Sequence, residues 1–300
     1  MGLKDILVCL DPTDAGDSRL RLAAALAREH HAHLSAAYVL TEELPGAAPY
    51  GGLGFRAPAE ASAVAEGSLV AGIPVPGARP AANADLVHGA ALADIVEERF
   101  REAVRPHAIE GDWHLFGSGE GDDLVALLRT VDLAVFGQTS PDHRVLTGFR
   151  PEQVVVAAGR PMLVVPYAGE FGAIGRRVLV AWDGTREAAR ALHDALPLIA
   201  KAEAVTIVTV RAQEAGFERD GPSLTRVVRH LQRHGLPARG EEAPQGDLSV
   251  SDVLLSRASD HDVDLIVAGA YHHSQLREAL LGGVSRDLLD HITVPLLMSH

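Results

Sequence analysis

The order of segments in this chain is written twice, and that duplication limits the folds open to it more than any single motif does. Lys4-Asp5-Ile6-Leu7-Val8-Cys9-Leu10-Asp11-Pro12-Thr13-Asp14 returns as Arg176-Arg177-Val178-Leu179-Val180-Ala181-Trp182-Asp183-Gly184-Thr185-Arg186. Each is a short apolar run closing on an acid and a turn. Asp132 to Gly137 returns as Asp264 to Gly269, and Arg160 to Val165 as Val294 to Met298, in the same order. A period of this size marks a repeated structural unit, so the 300 residues divide into two related domains, 1–168 and 176–300. The linker between them is Tyr167 to Gly175, with the helix breakers Gly169 and Gly172.

The copies differ in length at one place. Asp11 and Asp132 are 121 positions apart, whereas Asp183 and Asp264 are 81 apart, so the first copy carries about 40 extra residues. The surplus falls at about 42–83, a stretch rich in Ala, Gly and Pro with few large apolar side chains. Such a segment cannot bury enough surface to offset its ordering entropy unless it lies on the rest of the protein. It reads as a mobile, lid-like excursion or as simple disorder.

Within each copy, apolar runs alternate with helical periodicity. The first copy predicts strands near 5–10, 33–40, 112–116, 132–137 and 161–165. Its helices are expected near 16–29, 84–104, 121–130 and 151–158. The second predicts strands near 177–182, 204–210, 238–242, 264–269 and 294–298. Runs such as Val205-Thr206-Ile207-Val208-Thr209-Val210 suit strands buried on both faces. The predicted fold class is α/β, with two doubly wound domains, each holding a five-stranded parallel sheet.

Charge and cysteine content narrow the function. A net charge of −13 repels phosphate backbones and anionic lipid heads, so neither nucleic acid nor membrane is expected as a partner. Cys9, the single cysteine, sits in an apolar run and reads as a buried hydrophobe rather than a nucleophile. With no signal-peptide core and no apolar stretch of membrane-spanning length, the expected location is cytoplasmic.

Ligands of open α/β sheets bind at the carboxyl ends of strands, beside helix N-termini. Asp183, with Gly184-Thr185 turning into a helix, ends the first strand of the second copy, and Gly269 ends the fourth. Gly282-Gly283-Val284-Ser285 stands where the last helix begins. Glycines there let backbone amides approach phosphate oxygens, and a hydroxyl adds a donor. The same residues also serve as caps and turns in proteins without a ligand.

The duplicated unit, the strand-end Asp and the Gly-x-x-Gly-x9-Gly-[Ser/Thr]-like segment resemble universal stress proteins of the UspA type, here in tandem. The resemblance spans nearly the whole chain apart from 42–83. It implies a non-enzymatic stress-response module, with ATP, and Mg²⁺ beside it, held between strand ends and the glycine segment. The implied cofactor-binding residues are Asp183, Thr185, Gly269, His272, Gly282, Gly283 and Ser285. His272 occupies a glycine position of the family motif and Gly283 its Ser/Thr slot, with Ser285 taking over as hydroxyl donor. It further implies that 161–165 and 295–298 pair edge to edge in an intrachain pseudo-dimer. A homodimer and an unidentified protein partner are also open.

The first copy departs further from the motif, because Gly148 is followed by Phe149-Arg150-Pro151, whose bulk and missing N–H spoil a phosphate nest. The nucleotide site is therefore expected in the second copy. The alternatives are a nucleotide-free scaffold and a slow ATPase. No Walker, Gly-x-Ser-x-Gly or post-strand Gly-x-Gly-x-x-Gly signature is present. His30, His31, His33, His272, His273 and His300 belong to no His-x3-His pair and read as solvated or capping side chains rather than a metal site. His272 and His273 are the exception, placed to pair with a phosphate.

Overall fold

The computed structural model describes residues 2–40, 82–117, 119–139, 151–211, 224–270 and 283–300. The first half runs β1 (Asp5–Leu10), α1 (Asp14–His30), β2 (His33–Val39), α2 (Ala82–Val104), β3 (Trp113–Phe116), α3 (Gly121–Leu128), β4 (Leu133–Gly137), α4 (Pro151–Ala158) and β5 (Met162–Val165). The second runs β6 (Arg177–Ala181), α5 (Arg186–Ile199), β7 (Ala204–Arg211), α6 (Leu224–Arg233), β8 (Ala238–Pro244), α7 (Val250–Asp260), β9 (Leu265–Gly269), α8 (Gly283–His291) and β10 (Leu296–Ser299). The expected elements all appear, with ends displaced by a residue or two. All of 42–83 except its last two positions, where α2 begins, falls outside the described residues.

The strands form one sheet in the order β3-β2-β1-β4-β5-β10-β9-β6-β7-β8. Each half thus contributes five parallel strands in the same internal order. The halves meet antiparallel at β5 and β10, through Val164 opposite Leu296, Leu163 opposite Leu297 and Met162 opposite Met298. This is the edge pairing that the resemblance implies. It merges two sheets into one and covers two strand edges that would otherwise offer unpaired backbone groups.

Alternating side chains of each strand feed opposite faces. Ile6, Val8 and Leu10 join the core under α1, α2, α5 and α6, while Leu7 and Cys9 join the core under α3, α4, α7 and α8. A parallel sheet needs cover on both faces, and the helices supply it. Low aromatic content is compensated by Leu, Val, Ile and Ala.

The repeated aspartates do the same work in each half. Asp132 Oδ2 accepts from the backbone N–H of Lys4 at 2.7 Å and of Asp5 at 3.2 Å. Asp264 accepts from Gly175 at 2.7 Å and from Arg176 and Arg177 at 3.1 and 3.2 Å. In both halves the start of the fourth strand thus pins the start of the first.

Candidate functional site

Strands β1 and β4, and likewise β6 and β9, are neighbours whose carboxyl ends face the same edge. There the two halves begin alike. Thr13 caps α1 by accepting from Gly16 N, and both its N–H and its hydroxyl donate to Asp11 Oδ1. Thr185 caps α5 by accepting from Ala188 N at 3.1 Å, while its N–H and hydroxyl reach Asp183 Oδ1 at 3.0 and 2.7 Å. The Asp-x-Thr turn thus satisfies helix-start donors that have no intrahelical partner.

Beyond that turn the halves diverge. In the first, Arg19 Nη2 meets Asp11 Oδ2 at 2.5 Å and Arg19 Nε donates to Cys9 O at 2.7 Å. Both side chains are buried, Asp11 at 5% and Arg19 at 2% exposure. A Cβ on Gly137 would overlap Arg19 Nη1, so the guanidinium lies directly over the end of β4. Burial raises the Asp11 pKa, but the charge of Arg19 and hydrogen bonds from Thr13 and Arg19 outweigh it and hold the carboxyl below its usual range. The protein's own cation thus occupies the space between the ends of β1 and β4.

In the second half the position matching Arg19 is Ala191, fully buried, and Asp183 is exposed. A Cβ on Gly269 would come within 2.6 Å of Ala188 N and 2.7 Å of Glu187 C, so the first turn of α5 presses on the end of β9. Glu187 is buried there and ion-paired with exposed Arg186. Gly283 opens α8 and is exposed, and nothing among the described residues lies within 4 Å of where a side chain would start. Ser285, two residues on, is turned inward at 8% exposure. The indole Nε1 of Trp182, one residue before Asp183, is buried without a hydrogen-bond partner among the described residues.

Of the sequence-predicted residues, Asp183, Thr185 and Gly269 therefore stand at one sheet edge, and Gly283 and Ser285 begin α8. His272 and Gly282, like His273 and the Gly148 segment, lie outside the described residues. The sequence reading passed over Arg19 and Gln138, both visible on aligning the copies: Arg19 against Ala191, Gln138 against Ala270. It also passed over His230, four positions before His234. Cys9 is buried, and desolvation pushes its thiol up to about 12, partly countered by Arg19.

Asp183 and Glu187 make the α5 side acidic, while α8 begins at Gly283, with nothing among the described residues within 4 Å of where its side chain would start.

Two doubly wound units joined antiparallel through their last strands define a tandem α/β protein. Residues 175–300 match the family model described as the Universal stress protein family. A universal stress protein from Archaeoglobus fulgidus DSM 4304 is similar in fold, with TM-score 0.68 and 13% identity over 98% of this chain and 95% of that one. A functionally unknown protein from Pseudomonas aeruginosa PAO1 is also similar, with TM-score 0.56 and 16% identity over 99% and 92% of the two chains. These full-length likenesses carry the tandem arrangement of the fold. No curated protein sequence matches the chain at a significant level. Among the described residues no helix is long and apolar enough to cross a membrane.

Proposed function

We propose that this chain is a non-enzymatic, universal-stress-type module of two domains, 1–168 and 176–300, whose second domain holds an adenine nucleotide. The carrying observation is the contrast between the halves. An identical Asp-x-Thr cap is covered by buried Arg19 in the first and left exposed beside Ala191 in the second. Asp183 would accept from nucleoside hydroxyls, and the amides that open α8 at Gly283 would meet phosphate oxygens. Gly269 sets the close approach of α5 to β9, Thr185 orients Asp183, and Ser285 supports the first turn of α8. His272 and Gly282 complete the set by sequence position. Mg²⁺ beside Asp183 and Glu187 would offset repulsion of the phosphates.

Calorimetric titration of the full chain with ATP and Mg²⁺ tests this reading. Saturable heat that is lost in Asp183→Ala supports it. No heat at millimolar nucleotide overturns it and leaves the scaffold reading, which the antiparallel β5–β10 junction favours. A phosphate-release assay, with Asp183→Ala as control, separates binding from slow hydrolysis.

A further inference from the structure

At the opposite edge of the sheet, where β1, β2 and β3 begin, the first half carries a cleft of about 410 Å³. That volume falls within the range of small-molecule sites. Its polar lining includes Asp5, His33, Ser35, Asp112 and His114, and its apolar lining Leu127 and Val131 below the end of α3. Ser35 is only 8% exposed, and its hydroxyl has no hydrogen-bond partner among the described residues. Asp112 Oδ2 meets His33 Nε2 at 3.1 Å. The other oxygen of Asp112 and both carboxylate oxygens of Asp5 have no partner among the described residues.

The second half shows what the same place holds when it is occupied. The strand registers superpose Asp5 on Arg177, Ser35 on Thr206 and Asp112 on Arg239. Two acids thus stand where the second half has two arginines. There Arg239 Nε donates to Thr206 Oγ1 at 3.1 Å, and Arg239 Nη2 meets His261 Nδ1 at 3.1 Å. His261 Nε2 in turn meets Glu241 Oε2 at 2.8 Å, and Arg177 Nε donates to His261 O at 2.8 Å. The hydroxyl at this position therefore takes a guanidinium N–H in one half and has no partner in the other.

A buried hydroxyl without a partner is costly, and carboxylates without a counter-charge favour a cation beside them. A guanidinium presents several N–H donors in one plane and is weakly hydrated, so it can serve a hydroxyl and carboxylates together. We infer that this cleft binds a small alkylguanidinium cation, whose N–H groups meet Ser35 Oγ and the carboxylates of Asp5 and Asp112. The alkyl stem lies along Leu127 and Val131. The ligand thus takes the place that Arg239 fills in the other half. The site is independent of the nucleotide reading, which concerns the carboxyl edge of the second half.

The test titrates the full chain calorimetrically with butylguanidinium chloride at about pH 8, where free imidazoles are neutral. Tetramethylammonium, a cation without N–H groups, measures the background attraction to a chain of net charge −13. One saturable site tighter than about 1 mM is expected for butylguanidinium and none for tetramethylammonium. Asp5→Asn/Asp112→Asn, at two exposed positions, should weaken that site about tenfold or more, and Ser35→Ala about threefold or more. Asp112→Arg, which installs the side chain of the second half, should abolish binding while keeping the wild-type circular dichroism spectrum. Glu98→Gln/Glu102→Gln removes two charges from exposed positions of α2 and should leave binding intact. The inference is overturned if butylguanidinium binds no tighter than tetramethylammonium. It is equally overturned if either Asp5→Asn/Asp112→Asn or Asp112→Arg binds within about twofold of wild type.

Discussion

The side-chain amide of Gln138, at the end of β4 in the first half, donates to the main-chain carbonyl of Leu289 in α8 of the second half at 2.9 Å. It reaches the next carbonyl, Asp290, at 3.0 Å, and its own oxygen accepts from Tyr167 N at 3.3 Å. Gln138 is 7% exposed, so these last-turn carbonyls are satisfied across the junction rather than by water. The matching residue of the second half is Ala270, which has no side-chain donor, so the latch is one-sided. It holds the C-terminus of the same helix whose N-terminus opens at Gly283.

Gln138→Ala is expected to cost about 1–3 kcal/mol, since buried helix-end carbonyls lose their donors. Urea unfolding followed by circular dichroism measures it. A loss below about 0.5 kcal/mol would show that water replaces the amide without penalty.

Arg19→Ala should destabilise far more, by about 3–5 kcal/mol, because Asp11 would remain charged, buried and unpaired. Replacing both partners with apolar residues, Asp11→Leu with Arg19→Met, should cost less than Arg19→Ala alone. If instead the double change is the worse of the two, the ion pair is a net source of stability.

The same pair makes a prediction about acid. The folded-state pKa of Asp11 lies below its unfolded value, with Arg19 and Thr13 outweighing burial. Its contribution is therefore complete above the unfolded carboxyl pKa, about 3.9, and is lost as pH falls through the lower folded value. Denaturation curves between neutral pH and pH 3 should show a steeper acid loss for wild type than for Asp11→Asn. Parallel curves would remove Asp11 from the acid response.

Cys9 should be chemically silent in the folded protein. Its thiol is buried and pushed up to about 12, so the reactive thiolate is scarce and unreachable at pH 8. Ellman's reagent should detect no thiol in native buffer and one equivalent in guanidinium. Rapid native labelling would place Cys9 at an accessible surface instead.

Gly175 should tolerate no side chain. Its φ is +84°, and a Cβ there would overlap Leu198 O at the end of α5. Gly175→Ala is expected to cost about 3 kcal/mol, combining left-handed strain with displacement of a helix end. Thermal unfolding gives the value, and a shift indistinguishable from zero would mean that the linker relaxes freely.

The architecture was legible because it rests on local pattern. Alternation of apolar runs and helical periodicity places each strand, and the repeat of Asp132-Leu133 as Asp264-Leu265 ties the halves together before any contact is known. The Asp-x-Thr caps are local too, since an aspartate two positions before a threonine can meet it within one turn. The crevice was only half legible. Asp183, Thr185 and Gly269 are named by strand ends, but whether an edge is open depends on what reaches it from elsewhere.

By itself, then, the sequence determined two copies of one α/β unit, the edge on which a ligand would sit, and the asymmetry of their lengths. Tertiary structure alone decided which edge is filled, because Arg19 reaches Asp11 and Gly137 only when α1 packs across β1 and β4. It alone decided that Gln138 holds a helix more than a hundred positions away and that the ring of His193 meets that of His230. The physical reason is the same in each case. Spacing along a chain sets which residues share a face, whereas charge neutralisation, capping and ring contact depend on distances that close only when separate elements pack.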